Sequence, residues 1–93
     1  MIFSHQEITE FETSVEELLD GSCHLILFND DVNTFDHVIE TLVRVCKHTY
    51  EQAEQCAIIV HFNGKCEVKS GSYQKLEPMC SALLHAGLSA EIQ

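Results

Sequence analysis

The sequence predicts an α+β fold in the order β-α-α-β-α-β, with three helices packed on a three-stranded antiparallel sheet. Three observations carry this. The compact β-prone run Cys23-His24-Leu25-Ile26-Leu27-Phe28 is stopped abruptly by Asn29-Asp30-Asp31. Three later segments repeat apolar residues at helical spacing, each preceded or ended by a capping signal. Two short stretches between and after them, Lys65 to Lys69 and Leu88 to Ile92, read as further strands.

The elements follow in order. After the first strand, Asn33 or Thr34 can cap a helix in which Phe35, Val38, Ile39, Leu42, Val45 and Cys46 form one stripe. His48-Thr49 breaks it. Thr49 can cap a second helix with Ala53, Cys56, Ala57 and Val60 on one face, which Asn63-Gly64 ends as a left-handed cap would. Lys65 to Lys69 alternates weakly, as a strand with one side in water does, and Ser70-Gly71-Ser72 reads as a turn. Leu76, Met79, Cys80, Leu83 and Leu84 make a third stripe up to Gly87. Pro78 allows two versions of that helix. Begun at Ser72, the helix has Pro78 too deep for the first turn and is kinked there; begun near Glu77, it has Pro78 at its first position.

The chain is one domain of 93 residues with an ordinary globular apolar fraction of 45%. Residues 1–20 hold Glu7, Glu10, Glu12, Glu16, Glu17 and Asp20 but no Lys or Arg. Ser14-Val15-Glu16-Glu17 resembles a capping box, and Leu18-Leu19 closes at most one helical turn before Gly21. The expected division is a flexible acidic N-terminal extension over 1–21 and a folded domain over 22–93.

Charge and composition exclude several functions. A formal charge of −10 with only Arg44, Lys47, Lys65, Lys69 and Lys75 as bases argues against nucleic acid and favours cationic groups. No apolar run approaches a membrane span and no export signal opens the chain, which implies a cytosolic protein. Cys23, Cys46, Cys56, Cys66 and Cys80 are odd in number and widely spaced, without C-x-x-C, so neither a disulfide framework nor a zinc site is expected. The six histidines likewise lack metal spacing. No catalytic arrangement of Ser, His and Asp, nucleophile elbow or phosphate loop is present, and no cofactor is expected.

Two features remain. Asn29-Asp30-Asp31 sets three short polar side chains at one edge of the domain, and His61 closes the second helix. Singly, each has a plain explanation: Asn and Asp form turns, and a histidine favours the negative end of a helix. Lys65 is most simply a solvated surface residue. Together they carry more. Leu25-Ile26-Leu27-Phe28-Asn29-Asp30-Asp31, a helix with Val38-Ile39, and Val60-His61-Phe62-Asn63-Gly64-Lys65 resemble the ClpS family over roughly residues 23–92. Members of that family are non-catalytic adaptors of the ATP-dependent Clp protease that recognise N-degrons, proteins with destabilising amino-terminal residues.

The resemblance implies specific roles. Asn29, Asp30 and His61 would receive the target's α-amino group, an ammonium with three donors that needs converging acceptors. Asp30 would give a charge-assisted bond, and His61 must be neutral to accept. A first side chain of the Leu, Phe, Tyr or Trp class would enter an apolar pocket at Asn33, Phe35, Val38, Ala57, Val60 and Leu88. Val38, Ala57 and Val60 are otherwise ordinary core, unless an open cavity meets them. The partner would be a Clp-family AAA+ ATPase, ClpA-like or ClpC-like, docked on a patch altered here to Gln74 and Met79 where many members have Glu and Lys. This chain also reads Val32-Asn33-Thr34-Phe35 where Tyr-Thr-Pro-Met is common, so a stiff ring replaces a pliable thioether at the pocket mouth. Two other readings are a ClpS-like interaction domain blind to N-termini and a Cys/His metal-binding protein.

Overall fold

The computed structural model describes residues 23–93. Its elements are β1 Cys23–Phe28, α1 Phe35–Cys46, α2 Tyr50–Asn63, β2 Lys65–Gly71, α3 Tyr73–His85 and β3 Ser89–Ile92. The acidic segment, with its expected cap at Ser14 and turn at Leu18-Leu19, lies outside the described residues.

β1 is the most apolar strand and takes the centre of the sheet, antiparallel to both neighbours in the order β2-β1-β3. Cys23, Leu25 and Leu27 alternate onto the helix-covered face, where Val68 of β2 joins them and Ala90 and Ile92 of β3 pack from the side. The register with β2 slips between Leu25 and Ile26, so Leu25 faces Lys69 while Ile26 faces Glu67. Such a bulge adds local twist. The edge strands carry Lys65, Glu67, Lys69 and Glu91, charges that discourage pairing with another sheet.

Each helix begins where a short hydroxyl side chain can accept a backbone N–H. Thr34, not Asn33, caps α1 by accepting from His37 N at 3.1 Å. Thr49 caps α2 and accepts from Gln52 N, while the Gln52 side chain accepts from Thr49 N, a full capping box. Gly64 closes α2 at φ 92°, the left-handed conformation expected of it. The break after α1 sits one residue earlier than His48, at Lys47, which is itself left-handed at φ 59°.

Three expectations change. The Ser70-Gly71-Ser72 segment is not a turn: Ser70 and Gly71 extend β2 by pairing with His24 and Cys23, and Ser72 caps α3 by accepting from Lys75 N. α3 therefore starts at Tyr73 with Pro78 inside it, which removes the version that begins near Glu77. The last strand begins at Ser89, leaving Leu88 in the corner before it. The core of Leu25, Leu27, Leu42, Cys46, Ala53, Leu76 and Leu83 lies between the helices and the sheet. Among the described residues, no helix is long and apolar enough to cross a membrane.

Candidate functional site: an acceptor-rimmed cleft

The cleft is built from the ends of four elements. β1 delivers Asn29, whose backbone N–H donates to Gly64 O at 2.9 Å and so ties the strand end to the corner after α2. That bond places the last turn of α2, with His61, against the Asn-Asp-Asp turn. From the other side, α3 ends in a Schellman arrangement. Gly87 N–H donates to Leu84 O and Leu88 N–H to Leu83 O, both at 3.0 Å, with Gly87 left-handed at φ 88° and Leu83 and Leu88 both buried. This corner presents Leu88 to the cleft.

The lining brings together Asn29, Asp30, Asn33, Phe35, Val38, Ala57, Val60, His61 and Leu88, every residue that the sequence marked for amino-group or side-chain binding. Leu27 and Phe28 complete it and were not anticipated, because the end of a strand buried on one face reads only as core. Ala57, Val60 and Leu88, at 3%, 5% and 4% exposure, serve the core and the cleft wall at once. Space open to the centre of a water molecule is about 50 Å³, within a cleft of about 400 Å³ counted to its open mouth. The inner space holds roughly four water-sized volumes, on the scale of one ring-bearing side chain. A second, shallower depression lies between α2 and β2, lined by His48, Glu51, Gln52, Gln55, Cys56, Glu67 and Val68, and contains none of the marked residues.

Asp30 is the electrostatic centre of the rim. Its Oδ1 accepts from the backbone N–H of Val32 and of Asn33, each at 3.0 Å. The Asn33 side-chain Nδ2 donates to Oδ1 at 3.0 Å and to Oδ2 at 2.9 Å. Burial alone would raise the carboxyl's pKa. The bonds from Asn33 and Val32 N–H, the Asn33 side chain and the nearby His37 outweigh it and hold Asp30 below its ordinary value. The group is an anion at neutral pH. Oδ2, with one bond, retains a lone pair for a cation.

His61 is exposed, its ring 5.2 Å from Phe35 and 4.8 Å from Phe62, in a tilted and an edge-to-face arrangement. Phe35 thus stands at the mouth, 44% exposed, and braces the imidazole. Two contacts not foreseen from the sequence close the opposite side. Asn33 Nδ2 donates to Gly87 O at 2.9 Å, and His37 Nε2 lies 2.7 Å from Ala86 O. A carbonyl only accepts, so Nε2 carries the hydrogen. Chemically, the cleft offers an anion and two further acceptors, Asn29 and His61, above an apolar floor. It suits a cationic amine attached to one bulky apolar group.

The other marked residues lie elsewhere. Gln74 is exposed on α3, whereas Met79 is half-buried and packs against the core. They stand about 140° apart around the helix. Of the cysteines, Cys46 is buried and its thiol is pushed up to about 11. Burial, then the neighbouring Cys66, raises Cys56 to about 12. Both are protonated core groups at neutral pH rather than thiolates.

Comparison with known proteins bears on the family and the fold. The family model for the ATP-dependent Clp protease adaptor protein ClpS matches residues 20–91. The chain is 35% identical over 66 residues to the ClpS adapter protein of Thermosynechococcus vestitus, covering 70% of each. It is 31% identical over 87 residues to that of Corynebacterium aurimucosum, covering 94% of this chain and 77% of the other. A shorter match to the ClpS adapter protein of Campylobacter jejuni strain 81-176, 45% identical over 40 residues, spans 42% of that protein's length. In structure the chain is similar to Agrobacterium tumefaciens ClpS2 bound to L-phenylalaninamide, with a TM-score of 0.65 at 18% identity over 76% of this chain and 93% of that one. The match over most of its length, on the same three-helix, three-strand fold, shows that this chain belongs to the ClpS family of Clp protease adaptors.

Proposed function

We propose that this protein is a non-catalytic cytosolic adaptor that binds N-degron proteins by their amino terminus and hands them to a Clp ATPase. The observation that carries the reading is the rim of Asn29, Asp30 and His61 directly above an apolar floor of Val38, Ala57, Val60 and Leu88. An α-ammonium has three donors and the rim supplies three acceptors, one of them charged. The floor then takes the first side chain, Leu, Phe, Tyr or Trp. The related ClpS2 structure supports this, since its ligand, L-phenylalaninamide, joins a free α-amino group to a benzyl group.

The decisive measurement compares a peptide beginning with Phe or Leu with its N-acetylated twin. Acetylation removes the charge and two donors, so binding to the acetylated peptide is expected to fall at least tenfold, the usual scale for breaking a charge-assisted contact. Equal affinity for the two would sink the reading and leave an interaction domain that does not sense N-termini. Delivery is the second half of the proposal. Gln74 and Met79 stand where many family members carry a charged docking pair, so contact with the ATPase depends less on charge here. ClpA-like and ClpC-like ATPases should each be tested for degradation of a Phe-initiated reporter. The 1–21 segment is proposed to assist that delivery, and a chain lacking it should still bind the free-amino peptide.

A further inference from the structure

The resemblance places Asn33 in the wall of the side-chain pocket, yet its amide nitrogen is engaged elsewhere. Its Nδ2 donates to both oxygens of Asp30, at 3.0 and 2.9 Å, and to Gly87 O at 2.9 Å. A side-chain amide has two hydrogens, so one serves Gly87 and the other is shared by the carboxylate oxygens.

Two backbone bonds to Oδ1, from Val32 and Asn33, suffice to make the turn. They restrain Oδ1 alone, about a last torsion that is broad and roughly two-fold for Asp. Contact of one amide with both oxygens also holds Oδ2, which the turn leaves unbound. The far end of the clamp is equally fixed. Gly87 is held by the Schellman bonds at the end of α3 and is left-handed, and a Cβ there would meet Asn33 Oδ1 at 3.9 Å. Asn33 and Gly87 are 54 residues apart, and the next residue, Leu88, lines the cleft. Threonine, the common family residue at this place, has a single hydroxyl hydrogen and cannot serve both a carboxylate and a carbonyl.

We propose that Asn33 is a positioning residue for amino-group capture: it orients the Asp30 carboxylate and holds it in register with the wall that carries Leu88. The proposal rests on the N-terminus-binding reading above. In that reading the ammonium and the first side chain must be met together, and their separation in a ligand is set by one Cα. A clamp that joins the anion to the pocket wall sets the matching separation in the protein before the ligand arrives.

The test uses the full chain with Asn33→Ala and Asn33→Thr, a Phe-initiated peptide, its N-acetylated twin, and the titration of the Asp30 carboxyl carbon followed by NMR. Asn33→Ala should weaken the free-amino peptide about tenfold, the scale of a hydrogen bond to a charged group, and barely change the residual binding of the acetylated one. The Asp30 titration should move to higher pH. Asn33→Thr, which keeps one donor and the family's own residue, should fold and fall between wild type and Asn33→Ala in both measurements. Binding within twofold of wild type in both variants, or an unmoved Asp30 titration, overturns the proposal. If instead wild type itself ignores acetylation, it is the adaptor reading that fails.

Discussion

At the scale of single residues, Asp30 and His61 can be tested separately, one by folding and the other by binding. Asp30's folded-state pKa lies below its ordinary value. Its contribution to stability is therefore complete above about pH 4, the ordinary carboxyl range, and is lost as pH falls through the lower folded value. In urea unfolding, Asp30→Asn should cost about 1 kcal/mol at pH 6, and the gap to wild type should close as pH falls below about 4. A gap that widens in acid would contradict the sign. His61 is exposed and its contacts are the rings of Phe35 and Phe62. On the proposed reading it accepts from the ammonium, so His61→Ala should weaken a Phe-initiated peptide about tenfold in calorimetry, while stability in urea stays within about 0.5 kcal/mol of wild type.

At the scale of elements, α3 carries a built-in defect. Pro78 has no N–H to donate to the carbonyl of Gln74 one turn back, although the helix runs through it from Tyr73 to His85. Pro78→Ala should raise stability by about 2 kcal/mol, the interior helix penalty less the loss of proline's stiffening of the unfolded chain. A thermal melt that stays level or falls would mean that the ring makes packing contacts worth as much as the missing bond. The Ser72 cap explains why the helix begins so early. Its hydroxyl accepts from Lys75 N and its carbonyl from Leu76 N, so the first turn is formed before the proline is reached.

For the whole molecule, core and cleft share residues, so stability and binding are not independent. Leu83 is fully buried, and its carbonyl accepts from Leu88 N in the corner that presents Leu88 to the cleft. Leu83→Ala should cost about 2–5 kcal/mol, a large share of the roughly 5–15 kcal/mol that holds a domain folded. The urea midpoint should fall accordingly, and peptide affinity should fall with it even under fully folding conditions. By contrast, truncating the exposed Gln74 to Ala should leave both unchanged, within about 0.5 kcal/mol, as for surface sites generally.

Local sequence sets whatever depends on neighbours within one helical turn or one strand pair. The apolar run of β1, the Thr49 capping box, the left-handed Gly64 and the helical stripes are local signals, and they place the marked residues at the ends of their elements. Their convergence on one cleft follows once those elements pack, because the same apolar faces that make the core direct the ends together. Tertiary structure alone decided the rest. Pairing of Ser70 and Gly71 with the start of β1 turned an apparent turn into strand, since a ladder bond outweighs a turn-prone composition. The core drew Met79 inward and left Gln74 outside. Asn33, read from its neighbours, could be a helix cap or a pocket wall. It became a bridge to Gly87 because a contact spanning 54 residues exists only after the α3 corner has docked beside β1, and no local pattern encodes it.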